Sequence, residues 1–357
     1  MDVARSMPLA LGRVACGGFL WLLGLTAMAR GQDGLAAPFA EGGGPAPSAM
    51  FAAPPTAVPV QVERPGFFAV ARESIFDATK DDTWRPLSLR TFFTEGWDEA
   101  WVPEPDGSGD SQQGWINAAD GNFYRLHFLS YTFTNRLGRA DGHTGSYTLY
   151  TPLSRRLELI TNVPFITSQP TLTVGRQTFP NPNPQPSPRP NPYATSAGFG
   201  DVTFTPRVML LENDSFTMVA QTSIQTPSGY TRTGSGQSIV TPGVQFWWNF
   251  AESWVLRGGF SSAIGTNRQA GGTTLVSQMA IGKVLTPDNI PIFGDFTIYL
   301  SANVFNTVSA SRTLASLTPG FRTHLGKGYY ALGGVEIPVT GARPYEESAS
   351  FWFMKTF

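Results

Sequence analysis

The chain is short of charge, of cysteine and of long apolar runs. Asp, Glu, Lys and Arg make up 14% of its 357 residues, against about 25% in an ordinary soluble domain. The 25 basic and 26 acidic residues nearly cancel, for a net charge of −1. No basic surplus exists to track a phosphate backbone, which excludes a nucleic-acid binder. Cys16 is the only cysteine, so no disulfide framework can form. The three histidines, His127, His143 and His324, lack metal-ligand spacing, so no metal is expected. Gly271-Gly272 and Gly333-Gly334 precede no helix that would cradle a phosphate, and no cofactor is expected. Past the N-terminus no apolar run approaches the ~18 residues of a membrane-spanning helix.

Aromatics, glycine and proline are abundant instead: 26 Phe, 10 Tyr, 9 Trp, 38 Gly and 29 Pro. Residues 1–29 read as a secretory signal peptide, with Arg5 and Arg13, an apolar stretch, and Ala27-Met28-Ala29 as the cleavage site. Its removal takes Cys16 with it. Residues 30–65 read as a disordered Pro/Ala/Gly-rich linker with little to bury. Residues 66–122 are aromatic-rich without clean periodicity, and read as a periplasmic cap or a plug. Asp106-Gly-Ser-Gly-Asp110 lacks the remaining ligand positions of a calcium loop and reads as a plain loop.

From residue 123 the pattern becomes regular. Phe296, Ile298, Leu300, Ala302 and Val304 alternate with Thr297, Tyr299, Ser301 and Asn303, which is strand period. About twelve such segments start near residues 123, 145, 156, 199, 215, 239, 254, 273, 296, 314, 329 and 348. Short turns near 154, 213, 252 and 327 alternate with longer connections at 167–198, 227–237, 265–272, 306–312 and 341–347. Residues 286–295 make one turn longer than this scheme wants. The expected fold is all-β: a transmembrane antiparallel up-and-down barrel of about twelve strands over 123–357, with one face in lipid and one in a polar interior. A secreted β-sandwich has the same alternation; the leader, the loop parity and the C-terminus favour the membrane. Trp247-Trp248, Trp254, Phe293, Tyr329-Tyr330 and Trp352 are placed for interfacial girdles.

The chain ends Phe351-Trp-Phe-Met-Lys-Thr-Phe357. This resembles the terminal strand by which outer-membrane proteins address their assembly machinery, with Lys355 snorkelling to the interface. Expected partners are therefore outer-membrane lipid, that machinery through Phe357, and a small-molecule solute.

Few residues offer chemistry. Pro180 to Pro192 carries proline at every second position, which dictates an extended polyproline segment in the longest outer loop. It reads as a stiff spacer or docking strip, or simply as a soluble low-complexity loop. A barrel of this size is similar to outer-membrane phospholipase A, but the His-x-Ser of that family is missing. His143 is followed by Thr144-Gly145 and His127 by Phe128-Leu129, and no enzyme activity is expected. The inward charges are the candidate lumen-lining residues: Glu158, Asp201, Arg207, Arg257, Arg322, His324 and Glu336. They suit either a pore lining that sets charge selectivity or a salt-bridged network that fills a narrow barrel.

From Gly198 onward the chain resembles the MetA-pathway of phenol degradation family. The carrying residues are Gly198-Phe-Gly-Asp-Val-Thr203, Leu210-Leu-Glu212 and Thr226-Pro-Ser-Gly229, with Val163-Pro-Phe165 upstream. The resemblance implies an outer-membrane barrel that passes small hydrophobic or aromatic molecules, and it implies no catalytic residue. The leading expectation is an outer-membrane channel for small solutes. The alternative is a non-conducting barrel whose outer loops, including the proline repeat, are its functional surface.

Overall fold

A computed structural model describes residues 65–77, 84–103, 114–137, 140–170, 195–230, 233–235, 237–266, 273–308, 312–340 and 343–357. The leader, nearly all of the 30–65 linker, the Asp106–Asp110 stretch and the proline repeat lie outside them. Thirteen strands follow one helix, α1 (Phe67–Phe76): β1 (Leu126–Leu137), β2 (Ala140–Pro152), β3 (Leu157–Pro170), β4 (Thr195–Phe199), β5 (Thr203–Asn213), β6 (Phe216–Gln225), β7 (Ile239–Ala251), β8 (Trp254–Gly265), β9 (Thr273–Val284), β10 (Gly294–Thr307), β11 (Arg312–Gly326), β12 (Tyr329–Pro338) and β13 (Glu347–Thr356). Each strand pairs antiparallel with its sequence neighbour, and β1 pairs with both β2 and β13, so the sheet closes on itself. Both β4 and β5 lie along β3, as two halves of one interrupted stave. The barrel therefore has twelve staves. Closure gives β1 to β3 and β5 to β13 ladder partners on both sides without water, as lipid requires, while the short β4 pairs with β3 alone.

The alternation on β10 comes out as the sequence reads. Ile298 and Leu300 are 48% and 44% exposed on the outside, while Thr297 and Ser301 are fully buried inside. Leu129, Phe260, Ile281, Phe321 and Phe351 continue the apolar outer belt around other staves. No helix among the described residues is long and apolar enough to cross a membrane; the strands do so.

Three details differ from the sequence reading. The second strand starts at Ala140 rather than near 145, because Leu137 pairs directly with Ala140. That makes one connection at the long-loop end tight, against the expected alternation. Trp247, Tyr330 and Trp352 are not in a girdle; the first two are buried inside and Trp352 lines the lumen. Neighbours on a strand face opposite sides, so only one of Trp247-Trp248 and one of Tyr329-Tyr330 can meet lipid. Trp248 and Tyr329 do.

The short-turn end carries the residues before the barrel. Leu87 exchanges backbone hydrogen bonds with Glu212 at the end of β5, at 2.8 and 2.9 Å. In the β2–β3 turn, Arg156 donates to the carbonyls of Glu95, Ser88, Met209 and Leu210, and lies over the Phe92 ring. Burial lowers the Arg156 pKa from the usual arginine value. Arg155 beside it reaches Glu212 at 3.0 Å. The last turn of α1 is tied by Arg125, which donates to the carbonyls of Ser74 and Asp77. Lys355 snorkels onto this rim: its Nζ donates to the carbonyls of Lys327 and Thr356 and sits 4.9 Å from the Tyr329 ring centre.

Candidate functional site

Residues 114–124 run inside the barrel and fill the half nearest the short turns. Trp115 is buried against Tyr299, with parallel rings 5.0 Å apart. The Arg257 guanidinium covers its face at 4.6 Å. Ile116 is held through its backbone: its N–H donates to the Tyr299 hydroxyl at 2.9 Å, and its carbonyl accepts from Ser301 at 3.1 Å. Asn117 donates to Thr318 at 3.0 Å. Gly121 passes so close to β7 that a Cβ there would lie 2.1 Å from the Phe246 carbonyl carbon and 2.2 Å from Trp247 N. Only glycine fits this approach.

Charge fixes the same segment. Asp120 accepts from Arg257 at 2.8 Å and from the Tyr150 hydroxyl at 2.7 Å, while its N–H donates to Gln245 at 3.0 Å. Arg207 ion-pairs with Glu158 and donates to the carbonyl of Asp120, and to that of Asn122 at 2.8 Å. The other Glu158 oxygen accepts the Tyr124 N–H at 2.6 Å. Both partners of the Arg207–Glu158 pair are fully shielded from solvent. Such a pair holds because each charge meets several further polar groups in the interior.

The seven sequence candidates therefore part company. Glu158, Arg207 and Arg257 come together on the inner segment. Arg322 is buried in the same half, 3.6 Å from Asp295 and 4.6 Å from the Tyr330 ring centre. His324 stacks on Tyr330 and accepts the Gly328 N–H at 3.2 Å, which closes the β11–β12 turn. Asp201 sits between β4 and β5 at the foot of an outer loop, where it accepts from Gly229 N at 2.8 Å, Ser235 N at 2.6 Å and Gln225 at 3.0 Å. Glu336 alone of the seven lines the open half of the lumen, where it accepts from Ser316 at 2.7 Å. His127 and His143 turn to the outer face, bonded to the Tyr147 and Tyr131 hydroxyls.

Above the inner segment, toward the long loops, the barrel encloses a cavity of about 380 Å³. Most of its lining residues carry a hydroxyl or amide, such as Thr132, Gln221 and Gln278, interleaved with apolar ones such as Ile160, Val276 and Phe305. On one side Trp352, Phe128 and Tyr150 from the consecutive staves β13, β1 and β2 form a strip, with Phe128 and Trp352 stacked 4.6 Å apart. Among the described residues no Lys or Arg lines this space, and of its carboxylates Asp120 is already paired with Arg257. Sequence reasoning looked for charge and so passed over this neutral wall. The signal was there, in the Ser, Thr, Gln and Asn opposite each apolar row. The plug alternative for residues 66–122 named no residue, and Trp115, Asp120 and Gly121 went unmarked because an aperiodic segment carries no local signal of what it packs against.

No family model matches the chain, and no curated protein matches its sequence. Among solved structures, the chain is similar to the COG4313 outer membrane channel from Pseudomonas putida F1, at 11% identity over 71% of this chain and all of that one, with a TM-score of 0.48. It is similar to the KdgM porin at 9% identity over 65% of this chain and 99% of that one, with a TM-score of 0.43. Outer membrane phospholipase A from Escherichia coli also aligns, at 14% identity over 65% of this chain and 97% of that one, with a TM-score of 0.37.

Proposed function

We propose that the protein is an outer-membrane channel for small solutes, exported through its N-terminal leader. The observation that carries this reading is the cavity. A closed, lipid-facing barrel encloses about 380 Å³ of space walled by uncharged polar side chains, and a barrel built only to sit in the membrane has no need of one. Glu336 gives that wall an unopposed negative charge and a preference for cations over anions. Passage requires the segment at 114–124 to yield, since it occupies the lower half of the lumen. The direct test is reconstitution of the full chain into planar bilayers and vesicles. Conductance steps with solute flux are expected; neither appearing overturns the channel and leaves the barrel standing.

The density of contacts on the inner segment favours one second reading, a permanently closed barrel that works through its outer loops. Deleting residues 178–194 separates the two. A lost surface phenotype with no flux in either form supports the closed barrel.

A further inference from the structure

We infer that the cavity is a binding site for an uncharged, polyhydroxylated ring, the chemistry of a mono- or disaccharide. The inference deepens the channel reading and rests on it for passage of the solute, but binding itself needs no flux. Three features of the wall select this class together. The aromatic strip of Trp352, Phe128 and Tyr150 offers an apolar ring surface, with Trp352 the most open of the three. A sugar ring presents a matching apolar C–H face while its hydroxyls stay free at the rim. Across the lumen, a quarter to a half turn round the barrel, β6, β7 and β9 present Gln221, Thr241, Gln245 and Gln278. Amides and hydroxyls both donate and accept, as sugar hydroxyls do.

The third feature is charge. Glu336 and Asp120, the latter paired with Arg257, are the carboxylates on the wall, and no cationic side chain among the described residues lines it. An anionic solute would meet repulsion without a partner. A purely apolar or singly hydroxylated ring would satisfy the strip and strip water from the amide wall without replacing its hydrogen bonds, which costs binding energy. The volume falls within the range of about 300–1,000 Å³ usual for small-molecule sites.

Titration calorimetry of the folded full-length chain in detergent micelles tests this, with maltose, phenol and gluconate as probes. Saturable binding of maltose is expected, with phenol weaker and gluconate weakest. Trp352→Ala should weaken maltose binding about fivefold and Trp352→Phe should restore most of it. Gln221→Leu should weaken maltose about fivefold and strengthen phenol. Far-ultraviolet circular dichroism and heat-modifiable gel mobility confirm folding of each variant. No saturable maltose binding, phenol or gluconate bound more tightly than maltose, or Gln221→Leu without effect on maltose would each overturn the inference. Maltose bound by a barrel that passes no current would overturn the channel and keep the site.

Discussion

If the Arg207–Glu158 pair latches the inner segment, Arg207→Met should release that segment without opening the barrel. The substitution removes the cation paired with Glu158 and leaves that carboxylate buried with the Tyr124 N–H. It also strips a donor from the carbonyls of Asp120 and Asn122. Breaking one side of a buried pair costs about 3–5 kcal/mol, and the lost backbone bonds add about 1 kcal/mol each. The stave ladders are untouched, so the loss falls on docking of residues 114–124. A single cysteine at Ala119, which is 1% exposed, reports that docking once Cys16 is replaced by Ser. Maleimide labelling in the folded barrel should then speed up by about a hundredfold or more, since each 1.4 kcal/mol is roughly tenfold. Glu158→Gln combined with Arg207→Met should label more slowly than Arg207→Met alone, because no bare charge remains. Labelling unchanged by Arg207→Met, or a double variant as fast as the single, refutes the latch.

Three further outcomes follow from the same geometry. Gly121→Ala puts a methyl group into the β7 backbone and should displace the inner segment, read as raised protease sensitivity near residue 121 with heat-modifiable mobility kept. Glu336→Lys reverses the one unopposed charge on the cavity wall, and the zero-current potential across a salt gradient should shift from cation toward anion preference. Leu300→Arg places a charge on the outer belt, where Leu300 is 44% exposed. It should cost about 2–4 kcal/mol near the midplane, seen as a lower urea midpoint in lipid vesicles.

The strand plan was legible because it is local. Period-two alternation on segments such as Phe296–Val304 fixes which side chains face lipid wherever the barrel is closed, and the observed starts of β6 to β9 fall within a residue of the reading. The turn between Leu137 and Ala140 was not fixed by the sequence alone, since Gly138 and Asp141-Gly142 both carry turn signals and pairing across the ladder selects the first. The strand positions of Glu158, Arg207 and Arg257 were legible, but their partners were not. Glu158 and Arg207 lie opposite each other in the β3–β5 register, whereas Asp120 and Arg257 are separated by 137 residues.

By itself, then, the sequence determined a barrel of about twelve strands and its polar interior, because periodicity and turn chemistry act between near neighbours. Only the tertiary structure decided how that interior is used. Closing the sheet brings distant strands round a common axis, and it draws residues 114–124 into the space they enclose. There a buried charge must find a partner or remain uncompensated; Arg207 and Glu158 found theirs on neighbouring staves, and Arg257 found Asp120 on the inner segment. What their pairing left unfilled is the neutral cavity toward the outer loops, which no stretch of sequence specifies alone.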